Sequence, residues 1–145
     1  MNELQFSIQI HAPKEKVWET LWQDKTFRLW ADLIDPGTYM KGDMKEGNEI
    51  QFISSENGYG VTSLVEKVVI GEYLLLRHSA DTQEKGKRER EKEWTGGKEC
   101  YTLDEKDGIT NLTVSFDVPP DLETYFKVNY PKAMERIKEM AERKK

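Results

Sequence analysis

Cysteine is almost missing from this chain. Cys100 stands alone, which excludes an internal disulfide and any metal cluster built on several thiolates. Histidine is scarce as well. His11 and His78 are the only imidazoles, with no carboxylates clustered at ligand spacing, so no metal site is expected. Long apolar runs are absent, and no window approaches the length needed to cross a bilayer. Met1 is followed by Asn2 and Glu3, without a basic leader or an apolar stretch of signal-peptide length, so a cytoplasmic location is expected and membrane insertion is not. A basic excess is also lacking. Against 22 Lys and Arg stand 27 Asp and Glu, a formal net charge of −5, which disfavours nucleic acid as a partner. Gly96-Gly97 leads into a strand without the lysine and serine of a phosphate loop, so no nucleotide and no other cofactor is expected.

Aromatic side chains, by contrast, are plentiful. Four Trp, six Tyr and five Phe in 145 residues are too many for a disordered chain and point to one globular domain over residues 1–145. Leu4, Phe6, Ile8 and Ile10 alternate with polar residues, as a half-buried strand requires. Ala12-Pro13 ends it, and Lys14 to Trp22 carries Val17, Trp18, Leu21 and Trp22 on one side of a short helix. A second short helix is predicted over Asp24 to Ala31, with Asp24 as its cap.

Asp35-Pro36-Gly37 makes a turn, and a glycine-punctuated stretch follows. Strands are predicted at Asn48 to Ser54, with Ile50 and Phe52 on one face, at Tyr59 to Val68 after a Glu56-Asn57-Gly58 turn, and at Tyr73 to His78. Leu74, Leu75 and Leu76 in succession leave the inward face of that last strand unassigned. Extended structure is predicted from Lys87 to Trp94, then strands at Cys100 to Asp104 and Ile109 to Val118 joined at Lys106-Asp107-Gly108. Short turns between successive strands make them antiparallel.

After Pro119-Pro120, a stripe of Leu122, Phe126, Asn129 or Tyr130, Ala133, Ile137 and Met140 or Ala141 repeats at steps of three and four. It defines a long helix from Asp121, which caps it, to Lys145. Pro131 is expected to bend or split that helix, with Asn129 capping a restarted half. The resulting class is α+β: a curved antiparallel sheet wrapped around the last helix.

The ordered set Ile10-His11-Ala12-Pro13, Val17-Trp18, Leu21, Trp30, Gly60-Val61 through Val65, Leu74 to Arg77 and Gly108-x-Thr110-x-Leu112-x-Val114 resembles a known family over nearly the whole chain. It is similar to the family named after the C-terminal domain of the activator of the Hsp90 ATPase, within the START and birch-pollen-allergen helix-grip superfamily. That resemblance implies a helix-grip fold whose cavity takes lipophilic molecules. It leaves a chaperone-regulating or other protein-interaction role, or a cyclase or hydrolase-type enzyme, as alternatives. Where relatives carry a Trp in the last helix, this chain has Tyr125, Phe126 and Tyr130.

The ligand-binding residues predicted on this basis are Trp30, Phe52, Tyr59, Arg77, Trp94, Phe126 and Tyr130. The aromatic rings bring apolar area, and Tyr or Trp adds one polar handle. Arg77 would anchor a ligand carboxylate, or else pair with a neighbouring strand on the outer face. Trp18 and Trp22 are read as core. No residue is assigned a catalytic role: His78 ends an apolar strand with no identifiable nucleophile, and Cys100 reads as a small buried hydrophobe. The alternating charges of Asp81 to Glu99 and the basic end Arg143-Lys144-Lys145 would serve a protein partner. The leading reading is a non-enzymatic binder of a small lipophilic or aromatic molecule.

Overall fold

The computed structural model describes residues 1–56, 58–83 and 94–143. Its elements run β1 (Asn2–Ile10), α1 (Lys14–Trp22), α2 (Asp24–Ala31), β2 (Thr38–Lys41), β3 (Glu49–Ser54), β4 (Tyr59–Val69), β5 (Tyr73–Gln83), β6 (Lys98–Lys106), β7 (Ile109–Val118) and α3 (Glu123–Glu142). All seven strands join in one antiparallel sheet, ordered β1-β7-β6-β5-β4-β3-β2. The sheet curls around α3, which is the helix-grip architecture.

The two clean alternations set the register of one edge. Leu4 pairs with Phe116 and Ile8 with Leu112, so both strands present their apolar residues to the same inner face. Leu112, Val114 and Val118 are fully buried there. Farther along the sheet, β4 and β5 each carry one extra residue, at Glu66 and Ser79, where the pairing register shifts. Such bulges bend strands and strengthen twist, and they curve the sheet where a long β4–β5 hairpin would otherwise lie flat.

The grip is strongest along the second half of α3. Ala133 and Ile137 are fully buried, with Met134, Met140 and Ala141 nearly so. This half is also tied to the end of β1: Lys138 Nζ donates to the Gln9 carbonyl at 2.9 Å, and the Glu142 carboxylate accepts from the His11 backbone N–H at 2.8 Å. The first half is looser. Leu122 and Phe126 are half-buried, while Tyr125 and Val128 are exposed.

Several local expectations need correction. Pro131 does not split α3, which runs unbroken through it. The ring sits on the exposed side, where water can satisfy the Lys127 carbonyl deprived of its amide donor. Asn129 caps no restarted half; its Nδ2 donates to the Tyr125 carbonyl at 2.8 Å. Asp121 does not cap the helix either, because Pro120–Leu122 form a 3-10 turn and the helix opens after Leu122 without a side-chain cap. Asp24 is the first residue inside α2, and its carboxylate pairs with Arg28 at 3.0 Å instead of capping. A strand that the sequence reading omitted, β2, pairs with β3. The extended segment expected over 87–93, the turn residue Asn57 and the basic tail at Lys144 and Lys145 lie outside the described residues. Trp94 itself belongs to a turn.

A helix that tolerates an interior proline still carries its cost. Pro131→Ala restores the missing hydrogen bond and should raise unfolding stability by about 1–3 kcal/mol. Urea unfolding read by circular dichroism will measure this; an unchanged midpoint would mean that the exposed carbonyl is as well satisfied by water as by an amide.

Candidate functional site

The helices do not cover the sheet evenly. α3 packs chiefly on β1, α2 on β2 and α1 on β6 and β7, which leaves a gap over β4 and β5. Over that gap lies a cavity of about 400 Å3. Native interiors normally fill such space, and an unfilled one of this size lies in the range of roughly 300–1,000 Å3 that small-molecule sites occupy. Its floor is the inner face of β3 to β7; its sides are α2 and the looser first half of α3.

Six of the seven residues predicted from sequence line the cavity: Trp30, Phe52, Tyr59, Trp94, Phe126 and Tyr130. Trp30 presents only its ring, because its indole N–H donates to the Leu21 carbonyl at 3.1 Å. Phe27 bridges Trp30 and Phe52, with ring centroids 5.1 and 5.7 Å away. Trp94 is aimed by its turn. The Asp81 carboxylate accepts from the backbone N–H groups of Trp94 and Thr95, each at 3.0 Å, and this places the indole edge-on to Phe126 at 5.5 Å.

Arg77 is the exception. Leu74 and Leu76 are fully buried while Leu75 is not, so β5 alternates normally and Arg77 falls on the outer face. Its Nε donates to the Glu66 carboxylate at 2.8 Å, across to β4. The same alternation turns His78 inward. Cys100, expected to be buried, is half-buried on the outer face.

Sequence reasoning missed the polar end of the cavity. Ser63 and His78 are directly paired across β4 and β5, and Ser63 Oγ lies 2.7 Å from His78 Nδ1. His78 Nε2 points toward Glu99 Oε1 at 3.6 Å. The Tyr101 hydroxyl donates to the other Glu99 oxygen and stands 3.4 Å from the Tyr130 hydroxyl. The cluster thus links three strands, β4, β5 and β6, to α3 through Tyr130, with Phe116 of β7 opposite Glu99 in register. A usable signal existed: Glu99, Tyr101 and Leu103 alternate with Cys100, Thr102 and Asp104, so a buried Tyr101 obliges Glu99 to face inward.

Burial sets the protonation of this end. It drives the Tyr101 and Tyr130 phenols well above their ordinary range, so both remain neutral donors. Burial also lowers the His78 imidazole, more than the neighbouring Glu99, Asp81 and Asp117 charges raise it. His78 is therefore uncharged at neutral pH. The sign of the linkage follows directly. As pH falls below about 6.5, the unfolded chain takes up a proton at this residue before the folded one does, so stability falls with acidification. Urea titrations between pH 7 and 5.5 should show that loss in the unmodified protein and a smaller one in His78→Gln.

Among the described residues no group of three or more His, Cys, Asp and Glu side chains is placed to hold a metal ion. No helix among them is long and apolar enough to cross a membrane.

No protein-family model matches the chain, and no curated protein matches it. Solved structures do share its fold. Protein CV1439 from Chromobacterium violaceum is 14% identical, with a TM-score of 0.72 and 99% of each chain covered. The Aha1 dimer from Colwellia psychrerythraea is 16% identical with a TM-score of 0.72, over 98% of this chain and 97% of that one. DynU16, a protein of the dynemicin biosynthetic locus, is 16% identical with a TM-score of 0.67, over 96% of this chain and 46% of its own. At these identities the likeness establishes the helix-grip fold and nothing finer.

Proposed function

We propose that this protein binds a small lipophilic or aromatic molecule between α3 and the sheet, without transforming it. The observation that carries this reading is the cavity of about 400 Å3 walled by Trp30, Phe52, Tyr59, Trp94, Phe126 and Tyr130. Apolar contact supplies most of the affinity, and the Glu99 end orients one polar group. An enzymatic reading would need an acid or base free to reach a substrate. His78 is a poor candidate, because both ring nitrogens already face protein partners and its side chain is 2% exposed. The resemblance to the Hsp90-activator family supports a second reading as a protein-interaction module, and the exposed Tyr125 and Val128 on α3 would serve it. An open cavity favours the first.

Mass spectrometry of the protein purified under non-denaturing conditions should reveal a carried-over small molecule. Titration with a panel of sterols, fatty acids and flavonoid-like compounds should then shift the amides of Trp30 and of the Tyr125-to-Tyr130 stretch together. A panel that leaves both unmoved would transfer the case to the protein-interaction reading.

A further inference from the structure

Charge is distributed unevenly around the cavity. Asp35 and Glu99 are the carboxylates among its described lining residues, and none of those residues is Lys or Arg. Glu99 is also the accessible member of the polar cluster, with its side chain 23% exposed against 2% for His78. A carboxylate has about four acceptor positions, and the Tyr101 hydroxyl uses one. The neutral His78 ring brings no positive charge to balance it. Aromatic rings surround this carboxylate. Phe116 is opposite it across β6 and β7, Tyr101 and Tyr130 lie beside it, and Trp94 stands edge-on to His78 at 6.0 Å.

We propose that the ligand is a lipophilic amine bound as its ammonium ion, with the Glu99 carboxylate as counter-ion and the aromatic rings as walls. This inference rests on the ligand-binding reading and narrows its chemistry. Aromatic faces attract cations through their quadrupoles, and a partly desolvated carboxylate attracts them more strongly than it would in water. A carboxylate ligand such as a fatty acid would meet like charge in the same space, with no described lining cation to offset it.

Three matched probes test it: 2-naphthylmethylamine, 2-naphthalenemethanol and 2-naphthoic acid, which carry one ring system as cation, neutral donor and anion. Calorimetric titration of the unmodified chain at pH 7 should rank amine, alcohol, acid, with the amine on the order of tenfold tighter than the alcohol. Glu99→Gln should erase the amine's advantage over the alcohol. Glu66→Gln makes the same change on the outer face, beside Arg77, and should retain that advantage, which guards against reading a change in overall charge as lost recognition. Equal binding of amine and alcohol, or tighter binding of the acid, would overturn the inference and leave the apolar-ligand reading standing. Loss of the preference in Glu66→Gln, or its survival in Glu99→Gln, would remove Glu99 as counter-ion. Binding of none of the three would overturn both.

Discussion

Gly60→Ala will cost the fold about 2–4 kcal/mol, although it adds a single methyl group to a strand. Gly60 pairs with Ile53 across β3 and β4. A Cβ built on it would lie 1.9 Å from the Phe52 carbonyl oxygen and 2.7 Å from the Ile53 Cα. Both are backbone atoms, so no side-chain rotation relieves the clash. β3 must move away, and the ladder that holds it to β4 must break locally. Because β3 and β2 form the edge of the sheet, they can detach while the β1–β7 edge stays paired. Amide exchange should therefore accelerate at Ile50 to Ser54 more than at Leu112 to Val118. Gly108→Ala is the useful control. Nothing lies within 4 Å of a Cβ there, but φ is +80°, so only left-handed backbone strain of about 1 kcal/mol is expected. Similar losses at the two positions would show that β3 yields more readily than its pairing implies.

The Gly60 position also shows why the fold was more legible than the site. Fold signals are periodic and local. The alternations at Leu4 to Ile10 and Thr110 to Val118, and the three-and-four stripe of the last helix, each repeat enough to fix an element, and the structure reproduces them. The short helices Lys14–Trp22 and Asp24–Ala31 also appear where the apolar spacing put them. What failed were single-residue inferences. Asp24 and Asp121 have capping side chains, yet the chain enters both helices by geometry that leaves them no cap to make. β2 was unreadable because its four residues are too few to display a period.

At the site, the decisive ambiguity was one of facing. Three successive leucines on β5 hide whether odd or even positions point inward, and an error of one residue exchanges Arg77 for His78. An inward Arg77 would have made the cavity a receptor for anions. The observed alternation places Arg77 against Glu66 outside and leaves Glu99 inside, which reverses the sign of charge a ligand would meet. Glu99 was overlooked for a related reason: it closes a highly charged stretch, where one more acidic residue looks like solvated surface. Its inward direction comes from Tyr101 and Leu103, not from its own neighbours before it. The aromatic lining was easier, since large rings have few places to go in a domain of this size.

Val61→Trp should abolish ligand binding, lowering affinity at least about 100-fold, while changing stability by no more than about 1 kcal/mol. Val61 stands on β4 opposite Phe52 and lines the cavity. An indole added there enters the void of about 400 Å3 instead of a filled core, so it meets few atoms that must be displaced. Overpacking is costly only where density is already native; in a gap the new ring gains dispersion contacts with Phe52 and Trp30. The substitution thus separates two properties that most mutations change together. Calorimetric titration with 2-naphthalenemethanol gives the affinity, and thermal unfolding gives the stability. Ala31→Phe, on α2 across the same space, should act alike and protects against a local effect on the strand. Undiminished binding in both variants would place the ligand outside this cavity. A loss of several kcal/mol in both would mean that the space is closed in solution, and the gap between α3 and the middle strands would then be a region of slack packing and not a receptor.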